Sequence, residues 1–279
     1  MNNILVTGGN GQLGSELKEL ASNFPDYNFL FTDVSNLDIT AHKEVRLFVE
    51  RNNINVIINC AAYTAVDKAE SEPEIPDAIN HLAVANFAQI AKDKNIKLIH
   101  ISTDYVFDGT NNKPYLETDT PNPQSVYGKT KLDGELAMRK INPANSIIIR
   151  TSWVYSRFGN NFLKTMLRLA ETRDEISVVA DQIGSPTSAT DLAKAILTIL
   201  PMVHNKTVEI FHYSNEGLCS WYDFAKAIFE IKGISIKVNA IESSQYPTPA
   251  ERPFYSVLNK KKFKIMYQIK IPYWKTSLE

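Results

Sequence analysis

Cysteine is scarce: Cys60 and Cys219 are the only two in 279 residues, and neither stands in a paired ligand spacing. A disulfide framework and a zinc site are therefore excluded as organising devices. Long apolar runs are also missing, since nothing approaches the roughly 18 consecutive residues of a membrane span. The opening stretch Met1-Asn2-Asn3-Ile4-Leu5-Val6-Thr7 carries no basic leader, and its apolar run stops at Thr7. These absences predict a cytoplasmic protein with no membrane partner. Charge of one sign is not in excess either: 30 Lys+Arg against 31 Asp+Glu gives a net charge of -1, so the basic footprint of a nucleic-acid binder is lacking. There is no repeat, no low-complexity tract and no clean linker. What is there, 44% hydrophobic and 22% charged residues, excludes disorder as the main state and suffices for one large domain or a large domain with a smaller partner.

Short β-branched or apolar runs alternate with longer helical patterns through the first half, the rhythm of βαβ units and of a parallel sheet covered on both faces. The pattern predicts strands at Ile4–Thr7, Asn28–Asp33, Val56–Asn59, Leu98–Ser102 and Ile147–Arg150. Ile79, Leu82, Ala83, Phe87, Ile90 and Ala91 fall on one helix face, with Pro73 and Pro76 at its entry. Beyond Arg150 the alternation loosens into helix Phe162–Glu171, strand Ile176–Ala180, helix Ala189–Leu200, strand Val208–Tyr213 and a helix around Trp221–Ile231. The expected architecture is an α/β, Rossmann-type doubly wound parallel sheet over residues 1–150, extended by part of 176–213. Residues 151–279 form a smaller, interleaved C-terminal α/β region that binds substrate.

The first strand runs into Gly8-Gly9-Asn10-Gly11-Gln12-Leu13-Gly14 and then a helical pattern. Gly8, Gly11 and Gly14 have the spacing for a tight turn, close backbone approach to a pyrophosphate, and close helix–strand packing, with Gln12 and Leu13 opening the helix. Asp33 closes the second strand about 20 residues further on, where an acid accepts from the adenosine ribose hydroxyls. A carboxylate there repels a 2′-phosphate and no arginine follows it, so NADH is acceptable beside NADPH. Asp33 also suits a turn, and Asp38, next to Ile39, either meets the adenine edge or caps the helix starting near Ala41.

Tyr127-Gly128-Lys129-Thr130-Lys131 places a phenol and an ammonium at i and i+4 on one helix face, so the cation favours the ionised phenol. Thr103 leaves the fourth strand at the carboxyl edge of the sheet, where its hydroxyl can hold the same substrate oxygen. Gly159-Asn160-Asn161-Phe162 opens a helix whose N-terminus either suits anionic phosphates or is simply capped by Asn160. Arg252 either pairs with phosphate or sugar or holds loop carbonyls, and Lys260-Lys261-Lys262 reads as a solvated face.

In this order of glycine-rich turn, acid, hydroxyl residue and Tyr-x-x-x-Lys pair, the whole chain resembles the extended short-chain dehydrogenase/reductase family. The blocks Asn59-Cys60-Ala61-Ala62-Tyr63-Thr64, Ser102-Thr103-Asp104-Tyr105-Val106-Phe107, Arg150-Thr151-Ser152-Trp153 and Asp181-Gln182-Ile183-Gly184-Ser185-Pro186-Thr187 narrow the likeness to its dTDP-4-dehydrorhamnose reductases. Cys60 and Ser185 depart from the alanine common at those positions. The resemblance implies reduction of the C4 ketone of dTDP-4-dehydro-6-deoxy-L-mannose by NADPH or NADH. It makes Thr103, Tyr127 and Lys131 the catalytic set, with Tyr127 as proton donor and Lys131 also on the nicotinamide ribose. Ala61, Ala62 and Tyr63 would line the cofactor, and Thr103, Asp104, Trp153, Asn161 and Arg252 the substrate. It leaves a homodimer and Mg²⁺ open, with Glu16 on the first helix a comparable acid but no identifiable metal site. The rivals are an epimerase or dehydratase of the same fold and a non-catalytic NADP-binding regulatory subunit. Thr103-Asp104-Tyr105 lacks the Asp-Glu pair of the dehydratases, and the intact triad argues against the regulatory subunit.

Overall fold

The computed structural model describes residues 2–278. Strands β1 (Asn2–Thr7), β2 (Tyr27–Thr32), β3 (Ile54–Asn59), β4 (Lys97–Thr103) and β5 (Ser146–Thr151) follow the predicted β-branched runs. After β6 (Glu175–Val179) comes β7 (Glu209–His212), which joins the main sheet beside β5. The resulting six-stranded order is β7-β5-β4-β3-β1-β2, and its pairings are all parallel. The order reverses between β3 and β1, the switch point at whose carboxyl end such sheets bind ligands. The sheet is buried on both faces, which is why β5 reads as an unbroken Ile-Ile-Ile run rather than an alternation.

On one face lie α1 (Gln12–Leu20) and a later helix, Ala189–Ile199, with Leu13, Leu17, Leu192 and Ile196 packed on the inward side chains of β1, β3 and β5. On the other lie α2 (His42–Arg51), α3 (Ala83–Lys94) and α4 (Val126–Ile141), burying Val45, Phe87 and Met138. Ser125 caps α4 by accepting from the Gly128 N–H at 3.2 Å, which fixes where the Tyr127–Lys131 face begins. A third core joins α5 (Phe162–Ala170) to Trp221–Lys232, with β6 paired in parallel to Lys237–Ile241 as a separate ribbon. Of the two strands expected within 176–213, only β7 thus enters the main sheet.

Two sequence expectations fail here. Leu82 is not on the buried face of the helix after Pro76 but 43% exposed. A turn of π-helix, Asp77–Leu82, inserts a residue before α3 and rotates the pattern, turning Asn80 inward in place of Leu82. The run Lys260–Lys262 is not a solvated face: the Lys260 ammonium is buried near the Asn215 carbonyl and Glu216, and Lys262 donates to the Ile210 carbonyl at 2.8 Å. A short helix, Lys261–Tyr267, buries Phe263 and Tyr267 under β7, which sets Lys260 and Lys262 against the sheet edge and leaves Lys261 exposed. Among the described residues no helix is long and apolar enough to cross a membrane.

Candidate active site

Two cavities meet at the carboxyl ends of β1, β3, β4 and β5. The smaller, about 250 Å³, runs between the glycine turn and the loop after β2 and is lined by Gly8, Gly11, Asp33, Asp38, Ile39 and Ala61. The larger, about 530 Å³, is lined by Gln12, Thr103, Asp104, Tyr127, Lys131 and Trp153, among others. Gly11, Cys60 and Ala62 line both, so the two form one cleft crossing the switch point.

The turn that opens the cleft depends on backbone that only glycine permits. Gly8 has φ of 65°, and a side chain there would meet the backbone of Ala61. A Cβ on Gly14 would overlap the Gly8 carbonyl oxygen, so α1 can sit this close to β1 only without one. The Gly11 N–H closes the turn on the Gly8 carbonyl at 3.0 Å. The resulting turn fits a dinucleotide pyrophosphate: Gly8, Gly11 and Gly14 carry no side chain there, and α1 begins directly after it. Asp33 accepts from the Asn10 N–H at 3.0 Å and the Val34 N–H at 2.8 Å, so it orders the turn while facing the smaller cavity. Asp38 accepts from the N–H and hydroxyl of Thr40 and does not cap α2, whose first turn follows Ala41.

In the larger cavity Tyr127 and Lys131 share the buried face of α4, at 9% and 1% exposure. The expectation that Lys131 would favour the ionised phenol is corrected. Burial holds the Tyr127 phenol well above its ordinary value, with Asp104 and Tyr105 adding to the rise and only Thr103 opposing it. The Lys131 ammonium instead donates to the Ile101 carbonyl at 2.6 Å, and burial brings it down to about 8. Desolvation wins because both groups are buried in the wall of the cleft rather than set on a solvated helix. The Thr103 hydroxyl donates to Asp104 Oδ1 at 3.1 Å and accepts from the Tyr105 N–H at 3.2 Å. Asp104 is 2% exposed, and burial raises its carboxyl to about 6. Its Oδ2 and the nearby Ser256 hydroxyl are buried without a well-formed hydrogen bond.

Trp153 lines the same cavity with φ of 50°, a left-handed conformation costing a non-glycine residue about 1–2 kcal/mol. Its indole stacks on Trp221 at 3.5 Å between centroids and covers Gly184, where any Cβ would strike the ring.

Some expected residues lie off the cavity walls. Asn161 caps α5 by accepting from the Lys164 N–H at 3.1 Å, and its amide donates to Gln12 Oε1 at 3.0 Å; Gly159 and Asn160 line the wall in its place. Tyr63 is held by Asn80, whose side chain accepts from its N–H and donates to its carbonyl, while its hydroxyl bonds Glu72. Arg252 faces a further cavity of about 560 Å³, shared with Phe162, Arg173, Gln182, Trp221 and Tyr246. It donates to Asp67 at 2.7 Å and to the Tyr105 hydroxyl at 3.3 Å.

Sequence reasoning missed three features. Tyr105, edge-on to Tyr127 with centroids 5.4 Å apart, lies inside a block quoted above but carries no spacing signal. Cys60 lines both halves of the cleft, its thiol pushed up to about 12 by burial. The aromatic cavity of Phe162, Trp221 and Tyr246 is assembled from segments too distant for any local pattern. The other departure, Ser185, is accommodated by donating to the Gly217 carbonyl at 2.7 Å. Glu16 is buried in α1, 3% exposed, and accepts from the Ser156 hydroxyl at 2.6 Å. Among the described residues the one convergence of three potential metal ligands is Asp77, His81 and Asp133, which does not include it.

A cleft with a glycine turn of a shape that fits a dinucleotide at one end and a buried tyrosine–lysine pair at the other is the mark of an NAD(P)-dependent oxidoreductase of the extended short-chain class. Comparison with known proteins makes this more specific. The family model described as the RmlD substrate binding domain matches residues 1–279. A dTDP-4-dehydrorhamnose reductase of Sinorhizobium fredii is 46% identical over 98% of this chain and 94% of its own. Crystal structures named as the same reductase superpose closely. That from Clostridium acetobutylicum has a TM-score of 0.93 at 44% identity, covering 99% of this chain and 96% of its own. That from Bacillus anthracis, in complex with NADP, has a TM-score of 0.94 at 38% identity, covering 100% and 98%. The chain belongs to the RmlD family, that of the dTDP-4-dehydrorhamnose reductases.

Proposed function

We propose that the protein reduces the C4 ketone of dTDP-4-dehydro-6-deoxy-L-mannose to the alcohol of dTDP-L-rhamnose, using NADPH or NADH. The observation carrying this reading is the continuity of the two cavities through Gly11, Cys60 and Ala62, which brings the dinucleotide cradle to the Tyr127–Lys131 pair. When bound, the reduced nicotinamide supplies the hydride for C4. As charge develops on the ketone oxygen, the neutral phenol of Tyr127 gives it a proton and the Thr103 hydroxyl holds it. Burial favours this direction, because a phenol held above its ordinary value is fully protonated at neutral pH. Lys131 would hold the nicotinamide ribose and stabilise the phenolate until solvent restores its proton.

Asp104 and Trp153 would contact the sugar, the first through its buried carboxyl and the second through an indole face fixed by Trp221. The third cavity, with two arginines and three aromatic rings, suits the thymidine diphosphate, Arg252 exchanging Asp67 for phosphate. Residues 1–150 with β7 then serve the cofactor, and most of 151–279 the substrate. The reading extends to the cytoplasm, where nucleotide sugars and reduced nicotinamides are made, and, on family resemblance alone, to a homodimer. Sedimentation at a single mass near 31.4 kDa would remove the dimer.

The test is loss of reduced-nicotinamide absorbance with the 4-keto sugar generated in situ, NADPH and NADH in parallel, and Tyr127→Phe as control. Consumption that requires Tyr127 is expected. Cofactor binding without consumption would sink the assignment in favour of a regulatory subunit or an epimerase.

A further inference from the structure

Behind the catalytic pair lies a buried polar chain that the reaction as described does not use. Glu135 follows Lys131 by four residues, as Lys131 follows Tyr127, so the three share one face of α4. Its carboxylate accepts from the Arg150 guanidinium at 2.9 Å (Nε) and 2.6 Å (Nη2), and from the Ser102 hydroxyl at 2.5 Å. Both side chains of the ion pair are at most 2% exposed. Arg150 lies over the Phe107 ring at 5.0 Å, and its Nη1 stands 3.5 Å from His212 Nε2. His212 Nδ1 is 3.1 Å from the Tyr115 carbonyl, which makes it the donor there and leaves Nε2 as acceptor for Arg150. Burial beside Arg150 takes this imidazole down to about 3, so it remains neutral.

A buried ion pair of this kind is a weak source of stability, since desolvating both charges offsets most of their attraction. Its placement is more informative. Ser102 adjoins Thr103, and Arg150 adjoins Thr151 on the cavity wall, so the carboxylate ties the catalytic ends of β4 and β5 to the helix carrying Tyr127 and Lys131. It is also the anion in line with Lys131. The other titratable groups facing that ammonium are Cys60 after β3, His100 on β4 and Tyr127 on α4. The thiol and phenol are held protonated by burial, and His100 is held neutral by burial and by Lys131 itself. Arg150 already balances Glu135, but one helical turn from Lys131 in a desolvated site the carboxylate still favours the charged lysine.

We propose that Glu135 is a positioning residue for the reduction, keeping Lys131 cationic and holding the Thr103 edge of β4 in register with α4 through Ser102 and Arg150. This rests on the reading of Lys131 as the cation at the nicotinamide ribose. NADPH affinity, followed by fluorescence of the protein, and kcat are measured from pH 6 to 10. The proteins are wild type, Lys131→Met, Glu135→Gln and the double variant Glu135→Gln/Arg150→Met, each with a thermal melt. The double variant removes the bare cation that would disrupt the single one. In wild type, NADPH affinity falls as Lys131 loses its proton, and this alkaline limb is expected to move down by about one pH unit in both Glu135 variants, a roughly tenfold affinity loss on the limb. A folded double variant with the wild-type limb overturns the inference, as does failure of both Glu135 variants to fold, which makes the pair a fold element only. Lys131→Met with an unchanged profile overturns the underlying reading together with it. An intact limb in the Glu135 variants beside a lost one in Lys131→Met overturns the role of Glu135 alone.

Discussion

Asp104→Asn should stabilise the protein while harming its turnover, because a carboxylate 2% exposed with one oxygen unpaired is held at a thermodynamic disadvantage. Burial raises its carboxyl from 3.8 to about 6. Between those values the folded protein binds a proton that the unfolded chain has released, so this group's contribution lowers stability as pH rises from about 4 to 6 and leaves it lowered above. Two pH units correspond to about 3 kcal/mol, an upper figure, so removing the charge at pH 7.5 should gain about 1–3 kcal/mol. At about 2–4 °C per kcal/mol for a chain of this size, Tm should rise by roughly 2–12 °C. Asparagine preserves the shape, keeps an acceptor for the Thr103 hydroxyl, and presents an amide donor to the idle Ser256 oxygen. Melts of wild type and variant at pH 4.5, 6 and 7.5 read the difference, in which the other titrating groups cancel. The gain should be largest at pH 7.5 and fall to about a third of that at pH 4.5, because it vanishes only below the unfolded value of 3.8. No gain at pH 7.5, or one independent of pH, refutes the claim that Asp104 is a charge kept against its own stability.

The alkaline limb of turnover should fall near pH 8, where Lys131 loses its proton, and not where a phenol would ionise. A kcat–pH profile checks this, and Tyr127→Phe should lose about 10²–10⁴-fold in rate at every pH while still binding NADPH. Gly14→Ala drives a methyl into the Gly8 carbonyl and should cost about 1–3 kcal/mol, with NADPH affinity falling more than that of any exposed α1 substitution. Calorimetric titration with NADPH separates the two effects. Arg252→Met should raise KM for the sugar nucleotide by about 10–100-fold, the worth of a charged hydrogen bond, with NADPH affinity unchanged. Equal KM values would leave Arg252 only its bonds to Asp67 and the Tyr105 hydroxyl.

The sheet was legible because burial on both faces demands continuous Val/Ile runs, and Ile4–Thr7, Val56–Asn59 and Ile147–Arg150 supply them. The glycine turn was legible for a related reason: backbone that must approach backbone forces glycine, and the spacing of Gly8, Gly11 and Gly14 records it. The π-turn at Asp77–Leu82 escaped because its hydrophobic spacing also fits an ordinary helix; only the inward demand of Asn80, which clamps Tyr63, decides the phase. The lysines at 260–262 escaped because a charge run says nothing of the carbonyls and acids of Asn215, Glu216 and Glu209 that meet it in space.

Spacing foresaw that Tyr127 and Lys131 would meet, but not which protonation states their meeting would favour. Helical periodicity gives a shared face, whereas the protonation of groups on that face depends on how deeply the sheet and the loops after β4 and β5 cover it. Burial dominates both groups here, so the phenol stays a proton donor and the lysine is brought down to about 8 against the opposing effect of Glu135. The positions that break local rules therefore cluster: a tryptophan in left-handed backbone, a carboxylate with an idle oxygen and a lysine buried in the wall of the cleft. Each is unfavourable alone, and together they line one cavity beside the glycine turn. A fold selected for stability alone would have relaxed them separately; their coincidence in the cleft points to the reaction as what holds them there.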